Sequence, residues 1–469
     1  MAASLRTVLT LSTRQCASKI LRSHRAVARV PRRFLLSEAY SCNEAWRKQL
    51  EDPAVKQVSL SEFAFQVRDE LEKTGRASAV DVNVLAHLLQ HMEEEDEVEF
   101  MEDILHRFSH CQDCLPRSDS TSHAVVRSYI AAGQSARLPA LLADRLHFGI
   151  LPNHYTLNLL MDYFIRQERF AEAVQVAYCS TIQEDFSNPI NAWLALHACT
   201  QRLLGTDVDD LAPPPPEASD GEEDWIKVKY IRYPYYDDHM DIKDERFLLG
   251  KTLLMIGNTD SIDVPSDVRN SLKVIGSGLY HKFARGLARL KDIAESTEGN
   301  VLEQALEYFS QSLDKVEARE ADEPEVEIAL RTMDDEIRKL LPTREEKEEF
   351  VEELGRLRER LVAQGRVVSG VDLGQSVLDM ATASVQQFES AEISQQEALF
   401  KVWGQEQQME LDRQMAEYRK KERIEEMKQQ VKELQEQEEL LTYFDFEENI
   451  RLKFLDEDRA TDQKLTISK

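Results

Sequence analysis

The sequence predicts an all-α protein: a stack of helical hairpins, then a degenerate helical domain, then one long C-terminal helix. Three observations carry this. Across Arg145 to Val176, Leu157, Leu160, Met161, Phe164 and Ile165 recur at helical spacing, and Phe170, Ala173, Val174 and Ala177 do so again after the polar break Gln167, Glu168, Arg169. From Phe247 to about Leu354 helical patterns predominate. From Leu378 to Leu441 Gly404 is almost the sole helix breaker, in a run dense in Glu, Gln, Lys, Arg and Met, all good helix formers.

Taken in order, Gly149 and Pro152 stop a helix carrying Leu138, Leu141, Leu142 and Leu146, since glycine tolerates a left-handed cap and proline cannot continue the ladder. Two short antiparallel helices follow, with Ala171 and Ala173 allowing close approach. One such hairpin cannot bury its apolar face alone, so neighbours must stack on it, in units of roughly 20–45 residues. Beyond Leu204, the prolines Pro213 to Pro216 and the acids Glu217 to Asp224 spell a stiff, self-repelling linker. The stretch from Trp225 interleaves Tyr230, Tyr233, Tyr235 and Tyr236 with Lys227, Lys229 and Arg232; it reads as an extended segment packed on the next helix, or as a clamp for a single strand. In the long helix one stripe holds Leu411, Met415 and Tyr418, and an offset second stripe holds Ile424, Met427, Val431, Leu434 and Leu441. A continuous homodimeric seam would not be broken in this way, so contact with another kind of chain is expected.

The first 33 residues contain eight cations and no acid, with Ser, Thr and small apolar residues between them, as a mitochondrial transit peptide requires. A basic nucleic-acid-binding arm is the plainer alternative. Cleavage is expected between Arg33 and Ser37. Removing those eight cations takes the formal charge from −28 to −36, which is awkward for an RNA binder that must displace counterions. The charge is uneven, however. Leu115 to Glu172 has six arginines against five acids, with His123, His147 and His154 added, while acid gathers at Glu93–Glu99, Glu217–Asp224 and Glu317–Glu353. RNA contact should therefore be local, through Arg127, Arg137, Arg145, His154, Arg166 and Arg169, and the acidic flanks should face solvent or basic proteins. No apolar run approaches the roughly 20 residues that a membrane span needs.

The run GILPNHYTLNLLMDYFIRQERFAEAVQV resembles a pentatricopeptide repeat. A weaker copy, SHAVVRSYIAAGQSARLPALLADRLHFGI, sets Tyr129 and Ile130 in the places of Tyr163 and Phe164; fainter copies lie at VDVNVLAHLLQHMEEEDEVEFMEDILHRF and NAWLALHACTQRLL. That gives three to four units between about Ser78 and Leu204. The leader ending RRFLLSEAY, Trp46, the hinge-helix FGILPNHYTLNLLMDYFI and the late GRLRERLVAQGRVVSGVDLGQSVLDMA resemble, in that order, the small-subunit protein twenty-seven family of mitochondrial ribosomes. The expected organisation is a leader over 1–35, a helical segment over 36–77, repeats over 78–204, a linker over 205–224, a helical domain over 225–377, a long charged helix over 378–441 and a polar tail over 442–469.

The resemblance implies a structural component of the mitochondrial small ribosomal subunit, in the matrix, touching ribosomal RNA and neighbouring ribosomal proteins, with no cofactor, membrane or small-molecule substrate. The alternative is a free pentatricopeptide factor governing a mitochondrial transcript. In base-reading repeats a polar residue stands near the start of the first helix; that place falls on Leu159, which has no donor or acceptor for a base edge, favouring shape or backbone contacts. Enzyme chemistry finds no support. Gly250, Lys251 and Thr252 mimic the end of a phosphate loop, but Glu245 stands where its first glycine must be. His106, His110, Cys111 and Cys114 have zinc-ligand chemistry, yet no second CxxC exists and one short cluster is sterically cramped, so packing is the expected role.

Overall fold

The computed structural model describes residues 35–51, 53–56, 58–92, 95–114, 119–206, 211, 242, 244–296, 299–320 and 341–467. The expected transit peptide, nearly all of the Pro-rich linker and the tyrosine-rich stretch from Trp225 lie outside the described residues. Residues 1–398 and 399–469 form two compact units.

In the first unit, helices α1 (Asn43–Leu50), α2 (Pro53–Lys56) and α3 (Leu60–Thr74) lead into α4 (Ala79–Leu88), α5 (Glu95–Ser109), α6 (Asp119–Ala131), α7 (Leu138–Ala143), α8 (Arg145–Phe148), α9 (His154–Arg166), α10 (Phe170–Gln183) and α11 (Pro189–Leu204). These pack in two layers. One layer runs α4, α6, α9, α11, each against the next; the other joins α5 to α8 and α7 to α10. Helices α6, α9 and α11 begin at residues 119, 154 and 189, each 35 after the last. The caps repeat too: Asn153 accepts from the Thr156 amide and Asn188 from the Asn191 amide, satisfying donors that the first helical turn leaves unpaired.

The breaks fall where the residues require them. Gly149 ends α8 at φ +63°, a left-handed cap. The turn from α9 to α10 holds Glu168 at φ +61°, and the turn after α6 holds Gly133 at φ +75°. Both are closed by the same bond, Arg169 N–H to Phe164 O and Gln134 N–H to Tyr129 O. The register of the upstream copy is thereby corrected by one residue: Tyr129 corresponds to Phe164, both fully buried, and not to Tyr163. Residue type alone pairs Tyr129 with Tyr163, but the turn fixes the phase. Leu157, Leu160, Met161, Ala173, Val174 and Ala177 all face the core, while Ile165 is only half-buried.

The chain continues through α12 (Glu245–Asn258), α13 (Ser266–Leu279), α14 (Phe283–Glu295), α15 (Glu303–Lys315), α16 (Arg344–Ala363) and α17 (Leu373–Ile467). Helix α13 sits against α12, α14 and α15. Gly250 and Gly276 set the α12–α13 crossing: a Cβ on Gly250 would lie 2.7 Å from the Tyr280 nitrogen, and one on Gly276 2.7 Å from the Gly250 carbonyl. Gly250, Lys251 and Thr252 thus belong to a buried helix face, with Thr252 Oγ1 2.6 Å from Thr181 Oγ1. Two short strands escaped the sequence reading: β1 (Val301–Leu302) pairs in parallel with β2 (Val367–Val368). Two residues are too few for periodicity to reveal. Helix α17 is continuous for 95 residues, through the segment read as a polar tail. Among the described residues no helix is long and apolar enough to cross a membrane.

Candidate nucleic-acid interface

The layer of α4, α6, α9 and α11 presents the face on which the repeat region would receive a strand, and the chain's own segments lie on it. Leu35, Leu36, Tyr40 and Trp46 from the N-terminal segment are buried, as are Leu373, Val377, Ala381 and Val385 of α17, which recur every fourth residue and share one helical stripe. Tyr40 stacks on Tyr155 with ring centroids 4.9 Å apart, and the Tyr155 hydroxyl donates to the Tyr40 carbonyl at 2.5 Å.

Arg127 lies within this arrangement, 8% exposed. Its guanidinium donates to the Ser41 carbonyl, to Asn43 Oδ1 at 3.2 Å and to His123 Nε2 at 2.9 Å, and lies over Trp46 at 5.2 Å. Because Nε2 accepts, the proton of His123 sits on Nδ1, which donates to Thr156 Oγ1 at 2.8 Å. Burial and the Arg127 charge hold His123 well below the ordinary histidine pKa, so the imidazole is neutral. Burial also lowers the Arg127 pKa.

A carboxylate pair from α17 completes the arrangement. Glu389 Oε1 accepts from the Ser37 amide at 2.9 Å and from its hydroxyl at 2.5 Å. Glu392 Oε1 accepts from Asn188 at 2.8 Å and from Asn158 at 3.4 Å, while Asn158 also donates to the Tyr40 hydroxyl at 3.1 Å. Burial raises the Glu392 pKa, and its amide donors oppose that rise. A cleft of about 540 Å³ remains beside these contacts, bounded by Tyr40, Trp46, Arg127, Leu159, Asp162 and Arg166. Burial pushes Asp162 up to about 6 despite the Arg166 guanidinium 2.5 Å away. At the positions 35 residues before and after Leu159 stand Ala124 and Leu194, both fully buried, so no base-edge partner recurs at that register.

The five arginines and one histidine offered by the sequence fall in different settings. Arg127 and Arg166 hold the N-terminal segment, Arg166 through the Leu36 carbonyl at 2.7 Å. Arg137 pairs with Glu102 at 3.2 Å, Arg169 with Glu172 at 2.8 Å, and His154 with Asp185 at 3.0 Å. Arg145 is half-buried at the start of α8, 145 being the first residue after the Asp144 cap. A cluster that the sequence reading passed over lies on α13 and α14. The Lys273 ammonium is held below the ordinary lysine range by burial, then by the charges of Arg289, Arg269 and Arg285. Its signal was in the sequence as two cation pairs at i, i+4 spacing, Arg269 with Lys273 and Arg285 with Arg289.

The zinc-like fragment resolves into other contacts. His106 and His110 have ring centroids 4.7 Å apart and meet His147 of α8, but Cys111 Sγ is directed at the carbonyls of Gly75 and Arg107. Among the described residues no group of three or more His, Cys, Asp or Glu side chains has the arrangement to hold a metal ion. Cys42, Cys111, Cys114, Cys179 and Cys199 form no disulfide with one another, and burial pushes Cys179 up to about 11.

A family model described as mitochondrial 28S ribosomal protein S27 matches residues 1–433. The match takes in the helical layers, the segments that cover them and much of α17, and the chain belongs to this family of mitochondrial small-subunit ribosomal proteins.

Proposed function

We propose that this chain acts within the mitochondrial small ribosomal subunit as a scaffold, holding ribosomal RNA through cations on its outer surfaces and neighbouring proteins through its acidic flanks and C-terminal helix, with no chemical step of its own. The observation that carries this reading is the covered face of α6, α9 and α11. A free factor that reads transcript bases needs that face open, whereas here Arg127, Arg166, Tyr155 and Asn158 are engaged by residues 36–43 and Glu392. RNA contact then belongs to phosphate-directed side chains: Lys273 and Arg285, Arg145, and the partly exposed Arg137, His154 and Arg169; Arg269 and Arg289 of the same cluster are engaged by the Thr259 and Ile262 carbonyls and by Asn270. A phosphate near Lys273 would offset the repulsion that Arg289, Arg269 and Arg285 exert on it, so binding there gains from charge that the fold already holds together. The division into leader, repeats, linker, helical domain and long helix is part of the same reading.

Sedimentation of mitochondrial lysate in high salt tests it. Salt-resistant co-migration with the small subunit is expected, and a light free species would favour the transcript-factor alternative. Lys273→Glu combined with Arg285→Glu should lower ultraviolet crosslinking to ribosomal RNA several-fold. Unchanged crosslinking would remove the cluster from the RNA contact.

A further inference from the structure

The second unit, residues 399–469, exposes a short apolar seam on α17 with an unusual border. Ile424, Met427, Val431 and Leu434 follow one another at 3-4-3 spacing, the a and d positions of a coiled-coil repeat, and are 39, 50, 52 and 62% exposed. The six positions flanking the seam from 421 to 437 are Lys421, Arg423, Lys428, Gln430, Gln435 and Gln437: three cations, three neutral amides and no carboxylate. Lys432 lines the same shallow groove beside Val431. Lys428 has one ion pair on its own helix, to Glu425 at 3.5 Å, with both side chains largely in solvent. Such a pair gives way to a better-placed carboxylate at little cost.

The border selects the partner. We propose that this seam docks one helix of a different protein whose apolar stripe is flanked by Asp or Glu, giving an acidic mate to Lys421, Arg423 and Lys428. A second copy of this chain fits badly. In parallel register Arg423 of one copy would face Lys428 of the other, like charge against like. In antiparallel register about Val431 and Leu434, the flanking cations would meet Gln435, Thr442 and Phe444, and Glu438 would enter the seam opposite Met427. RNA fits badly too. Phosphates approaching this face would meet Ile424, Met427 and Val431 between the cations, and the next stretch, 433–448, carries seven acids and no cation.

The inference rests on the proposed place of the chain among neighbouring subunit proteins, and its test separates the two. Small subunits are isolated from mitochondria that express a tagged full-length chain and are treated with a zero-length carbodiimide, which joins lysine amines to carboxylates in direct contact. The expected result is that Lys421, Lys428 and Lys432 join Asp or Glu residues spaced three, four or seven apart on one other protein, and that Arg423→Glu with Lys428→Glu lowers the Lys421 and Lys432 links at least tenfold. Links only between copies of this chain, ultraviolet crosslinks of 419–432 to RNA, or ready acetylation of all three lysines in intact subunits would each overturn the proposal. Absence of the tagged chain from the subunit fraction would instead sink the scaffold reading and this proposal with it.

Discussion

The repeat region and the arm from 419 to 441 are both helical, but for different reasons. Helices α9, α10 and α11 are 13, 14 and 16 residues long, about the length at which an isolated helix is marginal in water, and they persist because Phe164, Val174 and Trp193 are removed from solvent. Every residue from 421 to 440 is exposed, so none of the described residues packs against that stretch. It is helical by local propensity, helped by exposed ion pairs such as Lys428–Glu425. The repeat region has closed its apolar faces on itself. The arm keeps one exposed.

Mutations should separate the two regimes sharply. Phe164→Ala removes a fully buried ring between two layers and is expected to cost about 3–5 kcal/mol in chemical denaturation. A loss under 1 kcal/mol would mean that the layers do not bury each other as described. Arg127→Ala is next, at about 2–3 kcal/mol, since it strips charged donors from the Ser41 carbonyl, Asn43 and His123 at once. It should also expose residues 35–50 to limited proteolysis; an unchanged cleavage pattern would show that the segment is held without it.

His197 gives a pH-dependent version of the same comparison. Burial takes its pKa from the ordinary 6.5 down to about 4. As pH falls, the unfolded chain binds this proton first, so the stability is whole above 6.5 and is lost below it, by roughly 2 kcal/mol at pH 5. Asp162, pushed up to about 6, acts in the opposite sense, because the folded carboxyl takes its proton before the unfolded one. Measuring His197→Gln against the parent at each pH isolates the imidazole: the variant should lose less stability between pH 7 and pH 5. Equal losses would place the acid sensitivity elsewhere. Smallest of all, Leu434→Gln in the arm should change the stability of the isolated chain by no more than about 0.5 kcal/mol. A larger change would mean that the seam is packed after all.

Most of the helices were legible because their signals are local. The stripe at Leu157, Leu160, Met161 and Phe164, the Gly149 stop and the breaker-poor run after Leu378 each lie within a few turns of chain. The occupied groove was not legible, because its bonds join residues far apart: Arg127 to Asn43 across 84 positions, Asn158 to Glu392 across 234, Ser37 to Glu389 across 352. Arg127 and Arg166 stand in a locally basic stretch, and no spacing rule announces the distant carbonyls of Ser41 and Leu36 that they reach. The Lys273 cluster was half legible, as two i, i+4 pairs whose meeting depends on how α13 crosses α14.

The sequence by itself determined that this chain is helical, where its hairpins turn, that it carries a long charged helix and which family it belongs to, because periodicity, caps and composition act over one or two turns of backbone. Only the tertiary structure decided that the repeat face is filled from both ends of the first unit and that two of the five offered arginines are engaged by the N-terminal segment. Such contacts depend on which apolar stripes find each other in three dimensions, and that choice is made by packing across hundreds of residues.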